Sequence, residues 1–553
     1  MASKAVTNLL DLYHADIEVR SPWLQFWQRI YDLHSPNRAD FTEDHGKGQS
    51  RVSEIYDSTP RLSARSLRTS IGSLLHDKSS QWFWMTVDDD DLMDDDEIKL
   101  HLEVVRRRMW KAVYDVRSRF VQRSGEVDGD LVLAGIGYLW IGMNEAQSGL
   151  SFKSYHPAKA TIREDADGVI NATNLTSHFT ASQAVKKYGL ENVGKLTQEA
   201  FDGTAKDRAK KFEFVQMIMP REDHEVRRFG NQNMPYSSVT LDIDSEKIIK
   251  EGGFREFPLA IPRWETSPDE VYTRGPAAYA APDGRTLNAM TKTLLVGGQM
   301  AVDPPKWATS DGVLSPFRTF PGGLTIIDGE AAKEMRGPPI GQLDLTGNIP
   351  LGREMQQDYR NNVEKAFMKD IFRLPTQGPE MTAAEIFERK EEYLREIGPV
   401  SGRLGADYMG HTTMRVYALM ERAGAFPPKP EKLEGVPIEF EYINPAEIAK
   451  RQLDAAGFSR AMEVIAPAVE FYPDVLDNFN FDAVARDSPQ YTGMPQRWIN
   501  DQEGVDETRE KRAKQREAQQ QAEAADQGAG TVEKLGRAAA SAASAGLSPD
   551  AAQ

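Results

Sequence analysis

The stretch Met381–Gly424 constrains this chain more than any other. It reads MTAAEIFERKEEYLREIGPVSGRLGADYMGHTTMRVYALMERAG. Thr382 followed by Glu385 is a capping box: the hydroxyl accepts from a first-turn amide, and the carboxylate reaches back to the Thr382 amide. Glu385 with Arg389, and Glu391 with Arg395, stand four apart with the acid first, the order that suits a helix. Ile386, Tyr393, Leu394, Ile397, Leu404, Tyr408, Val416 and Leu419 recur at helical spacing. Gly398-Pro399 interrupts the run and predicts a kink. Gly424 and Pro427-Pro428 end it. Taken alone, the pattern describes a long amphipathic helix in an all-α domain.

With 553 residues, 40% of them hydrophobic, the chain can build several domains or one large elongated subunit. Acids outnumber bases 84 to 67, for a net charge of −17. That argues against a protein whose main surface grips the DNA backbone, because such surfaces are basic. It leaves room for a surface that lets DNA slide past. There are no cysteines, so disulfides, Cys-based zinc sites and a thiol nucleophile are excluded. The start, MASKAVTNLLDLYHADIEVR, lacks a continuous apolar segment, so no secretory leader is expected. The most apolar run, Leu131–Met143, falls short of the ~20 residues that span a bilayer and reads as a buried strand pair or core segment.

Along the chain, residues 5–35 are expected to be helical: Leu9, Leu10, Leu12, Tyr13 and Ile17, then Trp23, Phe26, Trp27, Ile30 and Tyr31, recur at three and four. A polar segment rich in turn formers, Ser35–Ser50, precedes a second helix with Ile55, Leu62, Leu67, Ile71, Leu74 and Leu75 on one face. Trp82-Phe83-Trp84-Met85 reads as a buried strand or an anchor between subunits. The acidic run Asp88–Glu97 lacks the glycine and spacing of a calcium loop, so it reads as a solvated loop and an acidic helix start. One long helix carrying Leu102, Val105, Met109, Val113, Val116 and Phe120 follows. Residues 130–265 change character. Strands are expected at Leu131–Ala134, Tyr138–Met143, Leu150–Tyr155, Ala160–Arg163, Phe212–Met219, Val239–Ile243 and Lys247–Phe257. Short helices are expected at Ala181–Tyr188 and Val193–Ala200, giving a mixed α/β region built on a small barrel or sheet.

Asp283–Val302 is expected to be helical, with Leu287, Met290, Leu294 and Leu295 as its apolar face and Asp303-Pro304-Pro305 as its stop. Residues 303–350 are rich in Gly and Pro, with strands expected at Leu324–Ile327 and Ile340–Leu345. A second helix starts after Pro350 and runs to about Phe372, with Met355, Tyr359, Val363, Phe367 and Ile371 four apart. Two helices flanking a compact insert predict an antiparallel pair with a small domain at its tip. Arg373–Met381 shows no periodicity. Beyond the opening stretch, Ile438–Tyr442 reads as a strand and Pro445–Val469 as a helix, with helical pieces to about Trp498. Asp506–Ala525 reads as an exposed helix and the last residues as disordered.

No catalytic signature is present. There is no G-x-x-x-x-G-K-[ST] phosphate loop and no G-x-S-x-G elbow, and His45-Gly46-Lys47-Gly48 is only a glycine-flanked lysine. No two of the nine histidines stand at the four-residue spacing of a helical zinc site. No enzymatic activity, cofactor or metal is expected. A pair of carboxylates acting as acid and base has no sequence signature of its own and stays the third alternative.

The order of parts then carries a resemblance: a mixed α/β region, a helix, a Pro/Gly insert, a second helix, an irregular loop and a long kinked helix. Tyr56–Leu75 followed by Trp82-Phe83 belongs to the pattern, as do Thr273-Arg274-Gly275-Pro276 and Pro282-Asp283 with Thr286-Leu287-Asn288. So do Pro304-Pro305, Met381–Ile386, Arg389, Gly398-Pro399-Val400, Arg403-Leu404 and Gly424. Across roughly residues 50–445 the chain resembles the portal protein, or head-to-tail connector, of short-tailed double-stranded DNA bacteriophages. Order and spacing carry the likeness rather than any single motif.

That resemblance implies an α+β, mainly helical, elongated subunit with wing, two-helix stem, clip, tunnel loop and helical crown. The implied mapping is wing 1–265, first stem helix 266–302, clip 303–350, second stem helix 351–372, tunnel loop 373–381, long kinked helix returning to the wing 382–425, crown 426–500 and tail 501–553. It implies a homo-oligomeric ring, a dodecamer, at one capsid vertex of the virion, assembled in the host cytoplasm, with double-stranded DNA in transit through its channel. The implied partners are terminase, then a tail adaptor protein, with the major capsid and scaffolding proteins around them and no membrane. Candidate tunnel-facing residues are Arg285, Lys292, Arg360, Lys365, Lys369, Arg373, Gln377 and Glu380. For each basic residue the competing reading is a salt bridge between subunits or a solvated side chain. The alternative function is a structural or scaffolding oligomer without a DNA channel.

Overall fold

The computed structural model describes residues 4–43, 48, 49, 51, 54–221, 233–310, 316, 318–328, 340–342, 349–369, 398, 400, 402–442, 457–492, 498–500, 504–519 and 537, apart from 80, 94, 459, 468 and 470. Contacts divide the chain into two units. Met1–Thr86, Val105–Pro427 and Ile438–Ala449 make the first; Val87–Val104, Pro428–Pro437 and Lys450–Gln553 make the second.

In the first unit, α1 (Lys4–His34) is a single helix of 31 residues that runs through Pro22. Its first half lays Tyr13 on Val215, Met217 and Leu241 of a sheet. Its second half turns Trp27, Ile30 and Tyr31 inward, and the Trp27 indole Nε1 donates to the Ala134 carbonyl at 3.1 Å. α2 (Thr59–Leu75) starts with proline in its first turn, where a missing N–H costs nothing, and buries Leu67, Ile71 and Leu75. β1 (Phe83–Val87) carries the buried aromatic cluster. The acidic run belongs to the second unit, where it forms a short turn of helix, α3 (Asp90–Met93), before the start of α4 (Asp96–Val113), whose first turn holds Asp96 and Glu97.

The structure breaks the long helix expected through Val116 and Phe120. α4 ends at Val113, and α5 (Phe120–Ala134) starts after Arg119, whose φ of +60° is left-handed. The Ser118 hydroxyl donates to the Asp115 carbonyl at 2.8 Å, and Asp115 Oδ1 accepts from the Arg117 amide at 2.8 Å. Such side-chain bonds compete with the helical ladder, and Val116 is left 92% exposed. A second correction concerns Leu131–Ala134, which is the last turn of α5 and not a strand. A short apolar run fits a buried helix end as well as it fits a strand. Gly135, at φ +82°, stops α5 before β2 (Leu139–Met143).

β2 sits between β3 (Leu150–Ser154) and β9 (Leu259–Ala260) in one antiparallel sheet. The main sheet is a five-stranded antiparallel meander. Its strands, in order, are β4 (Ala160–Glu164), β5 (Ile170–Thr180), β6 (Lys211–Pro220), β7 (Tyr236–Asp242) and β8 (Lys247–Phe254). The helices α6 (Ala181–Tyr188), α7 (Lys195–Asp202) and α8 (Ala205–Arg208) interrupt it between β5 and β6. β5 is the longest strand and the sequence pattern missed it. Asn174 and Thr176 share the face turned to α1, and both are buried. Asn174 Nδ2 donates to Asp16 Oδ2 of α1 at 2.6 Å, and Thr176 Oγ1 lies 3.2 Å from the Tyr13 hydroxyl. A polar inner face of this kind breaks the alternation on which strand recognition depends.

A buried ionic network ties α1, α2 and α5. Asp130, 1% exposed, accepts from the Tyr31 hydroxyl at 2.8 Å and from Arg38 Nη2 at 2.6 and 2.7 Å. His76 at the end of α2 lies 2.9 Å from Asp128 of α5. In the second unit, α12 (Phe481–Thr492) and a helix over 504–519 are joined by the Arg509–Asp482 pair. Phe458, Phe479 and Phe481 form an aromatic cluster there. No helix among the described residues is long and apolar enough to cross a membrane.

Candidate functional site

The expected antiparallel helix pair is present, with different ends. α9 (Pro276–Val302) starts two turns earlier than Asp283. Gly275 is its N-cap and Pro276 opens the first turn, and the helix continues across Pro282. This start is locked to the end of α5. The Gly135 carbonyl accepts from Thr273 Oγ1 at 2.6 Å and from the Trp264 amide at 2.8 Å. A Cβ on Gly135 would stand 2.5 Å from the Arg274 carbonyl carbon, and one on Gly275 2.6 Å from the Val132 carbonyl oxygen. Only glycine lets these two backbones approach so closely.

α10 (Ile349–Ala366) ends before the expected Phe372. Met368 adopts a φ of +52°, and its amide donates to the Lys365 carbonyl at 2.8 Å, which closes the helix with a turn. Phe367 is buried with its ring 5.5 Å from that of His34. Between the helices, β10 (Lys306–Ser310) pairs parallel with β11 (Leu324–Asp328) and antiparallel with β12 (Ile340–Gln342). β11 was expected. β12 is described over Ile340–Gln342, and the rest of the strand expected to Leu345 lies outside the described residues; β10 carried no recognisable pattern.

One polar clasp holds both helices. Asp57, just before α2, is buried. Its Oδ2 accepts from Arg360 Nη2 of α10 at 2.8 Å and Nε at 3.1 Å, and from Thr291 Oγ1 of α9 at 3.4 Å. Its Oδ1 accepts from the Thr59 amide at 2.8 Å. Gln356 Nε2 of α10 donates to Thr291 Oγ1 at 2.6 Å. Burial, the largest influence, pushes the Asp57 carboxyl up, but the bonds from Thr59 and Arg360 outweigh it and hold the group below the usual carboxylate range. Asn288 of α9 completes the clasp. It accepts from the Tyr56 amide at 2.7 Å and donates to the Glu54 carbonyl at 3.0 Å. Asn288→Ala should cost about 1 kcal/mol, read as a urea midpoint shift, because three backbone groups, the Tyr56 and Asp57 amides and the Glu54 carbonyl, lose their partner where water can partly replace it.

The long helix is described from residue 402 onward, with 398 and 400. It contains a π-helical segment, Gly405–Gly410, before α11 (His411–Arg422). Gly405 takes the Tyr442 ring against its backbone: a Cβ there would stand 2.5 Å from Tyr442 Cδ1. Tyr442 belongs to β13 (Ile438–Tyr442), which pairs with β1. α11 is held to the end of β8 by Arg415 and Arg422, which both donate to Glu256. Gly424, at φ +65°, ends the helix as expected. Pro399, the capping box at Thr382 and Glu385, and the loop 373–381 lie outside the described residues.

The eight candidate residues divide in three. Arg360 and Lys369 are engaged inside the subunit, by Asp57 and Glu364. Arg285, Lys292 and Lys365 are exposed on the helix pair, with the Lys292 ammonium 5.5 Å from the Tyr56 ring. Arg373, Gln377 and Glu380 lie outside the described residues. The clasp itself, Asp57 with Asn288, Thr291 and Gln356, was missed. Its one sequence trace is an Asp two residues before the start of a helix.

Residues 7–499 match the family described as "Bacteriophage head to tail connecting protein". The portal protein of Salmonella phage epsilon15 is 27% identical over 527 residues, covering 93% of this chain and 92% of that protein. The probable portal protein of Bordetella phage BPP-1 is 25% identical over 526 residues, covering 94% and 93%. Among solved structures, a chain from the virion of a native gene transfer agent particle matches with 10% identity. It covers 78% of this chain and 94% of that one at a TM-score of 0.35, too distant a likeness to define the fold.

Proposed function

The chain belongs to the bacteriophage head-to-tail connecting protein family, a structural part of the joint between capsid and tail, and from that premise we propose a ring-forming DNA conduit. Twelve copies assemble in the host cytoplasm and occupy one capsid vertex. The ring serves as the channel for genome packaging and ejection. The insert 303–350 docks terminase during filling and the tail adaptor afterwards, with capsid and scaffolding proteins around the wing.

One observation carries this reading: an antiparallel helix pair with a three-stranded insert at its tip, clasped at its base by Asp57. Such a pair is a rigid spacer that presents a small docking module away from the body. The net charge of −17 supports a wall that does not hold DNA tightly. Of the candidates we retain the exposed Arg285, Lys292 and Lys365, and Arg373, Gln377 and Glu380 in the segment 373–381, as the residues that face DNA. The mechanism is passive, and a separate ATPase supplies the work.

Size-exclusion chromatography with light scattering on purified protein tests the reading. The expected result is a closed ring of about twelve copies, the closed symmetry such a heterologous contact favours; a stable monomer overturns it. Deleting Thr376–Pro379 should leave ring assembly intact and impair retention of packaged DNA, scored as the genome length recovered in particles. Collapse of assembly would instead make the loop a packing element.

A further inference from the structure

The outer face of α9 is basic, while that of α10 carries Glu354 and Asp358, with Lys365 on the same side about two turns beyond Asp358. Arg285, Lys292 and Val296 lie within about 40° of one another around α9, at 3.6 residues per turn. They point roughly 150° away from Thr291 and Leu294, which face α10. Glu354 and Asp358 stand on the corresponding outer side of α10, roughly 160° from Gly352 and Gln356, which face α9. Leu351 flanks them. Arg285, Lys292, Glu354 and Asp358 are exposed. Val296 is 38% exposed and Leu351 52%. Among the described residues none of the four charges is in an ion pair.

The register of the pair puts two of these groups on each helix at matching levels. Gln356 is bonded to Thr291, and a Cβ on Gly352 would lie 2.7 Å from Leu294 Cδ2. Counting outward in antiparallel sense, Val296 is level with Leu351 and Lys292 with Glu354. Arg285 falls between the levels of Asp358 and Lys365 and is matched to neither. A rotation about an axis along the pair leaves levels unchanged, so a second copy placed beside the first meets the same levels. A surface with a base on one side and an acid on the other, at one level, is complementary to itself there in a head-to-tail sense.

The geometry points to a second copy of this chain as the occupant of that surface. Lys292 of one copy pairs with Glu354 of the neighbouring copy, and Val296 packs on the neighbour's Leu351. The inference rests on the ring reading above and deepens it. It assigns Lys292 to the junction between subunits and removes it from the wall that faces DNA.

Lys292→Glu sets two acids against each other at every junction. Lys292→Glu combined with Glu354→Lys restores opposite charges with the positions exchanged. In sedimentation velocity at low salt, the single variant should need about fivefold more protein than wild type to assemble, and the exchanged pair should return close to wild type. The absence of native cysteine gives a second arm. Lys292→Cys with Glu354→Cys should cross-link assembled protein into a ladder of multimers on a non-reducing gel. Within one copy the two positions lie on opposite sides of the pair, beyond disulfide reach. Equal assembly of wild type, single and exchanged variants, or assembled protein that yields no ladder, overturns the interface. A wild type that stays monomeric overturns the ring reading, and this interface with it.

Discussion

Acidification from pH 6.5 to pH 4 is expected to remove about 3 kcal/mol of stability through His34 alone. His34 ends α1, is 2% exposed and packs its ring on Phe367. Its Nδ1 lies 2.9 Å from the Ile30 carbonyl, so Nδ1 carries the proton of the neutral ring. Nε2 is buried with no hydrogen-bond acceptor among the described residues, so a second proton there has nothing to meet. Burial drives the imidazole down to about 4 from an ordinary 6.5; the Ile30 bond opposes this, and the Arg285 charge adds to it. The sign follows. Below pH 6.5 the unfolded chain takes up a proton that the folded chain refuses, so stability falls as pH falls, until the folded form also binds near pH 4. His156 and His411, pushed down by burial too, act in the same direction. His76 acts the other way. Burial pushes it down, but the Asp128 charge and hydrogen bond outweigh burial and raise it. Its contribution is full below 6.5 and is lost as pH rises through the raised value, so the two windows separate. Urea midpoints at pH 7, 5.5 and 4 for wild type and His34→Phe measure the effect. The phenyl ring keeps the contact with Phe367, and the variant should lose about 3 kcal/mol less than wild type on acidification. Equal slopes would assign the acid sensitivity to other groups.

How much was legible in the sequence depends on what each element buries. α1, α2, α9 and α10 show their apolar stripes directly, since Tyr13, Trp27, Leu67, Leu287 and Val363 all face the interior. Gly424 marks a helix end through its backbone freedom, and the structure places it at φ +65°. β5 was illegible because Asn174 and Thr176 are buried against Asp16 and Tyr13, partners more than 150 residues away. The break at Arg119 was illegible because Val116 continues an apolar period while Ser118 and Asp115 bond their own backbone. The start of α9 lies at Pro276 and not at Asp283 because the helix runs through Pro282, a residue that usually breaks a helix interior. The clasp is the clearest case. Asp57 and Arg360 lie 303 positions apart, and nothing local in either segment announces the other.

Asp57→Ala is expected to cost about 3 kcal/mol, the range for removing one partner of a buried pair. The variant strips α10 of the acceptor for Arg360, α9 of one acceptor for Thr291, and α2 of the cap on the Thr59 amide. Arg360 is 36% exposed and can turn to water, so the cost stays below that of a sealed site. The reverse change is different. Arg360→Met leaves Asp57, a nearly sealed carboxylate, without its counter-charge, and the energy falls on the group that cannot reach water. The double variant should therefore lose less than the sum of the two, by ~1–2 kcal/mol in a double-mutant cycle. Strict additivity would mean that the two side chains act independently and that the clasp is no clasp. The loss should also be local. Amides over 349–366 and 288–302 should exchange faster in hydrogen-exchange mass spectrometry while the meander β4–β8 keeps its protection, because Asp57 touches the helix pair and not the sheet. If the pair forms the junction between copies, a loosened pair presents Lys292 and Glu354 at variable levels. Asp57→Ala should then weaken assembly without changing a single residue of the interface.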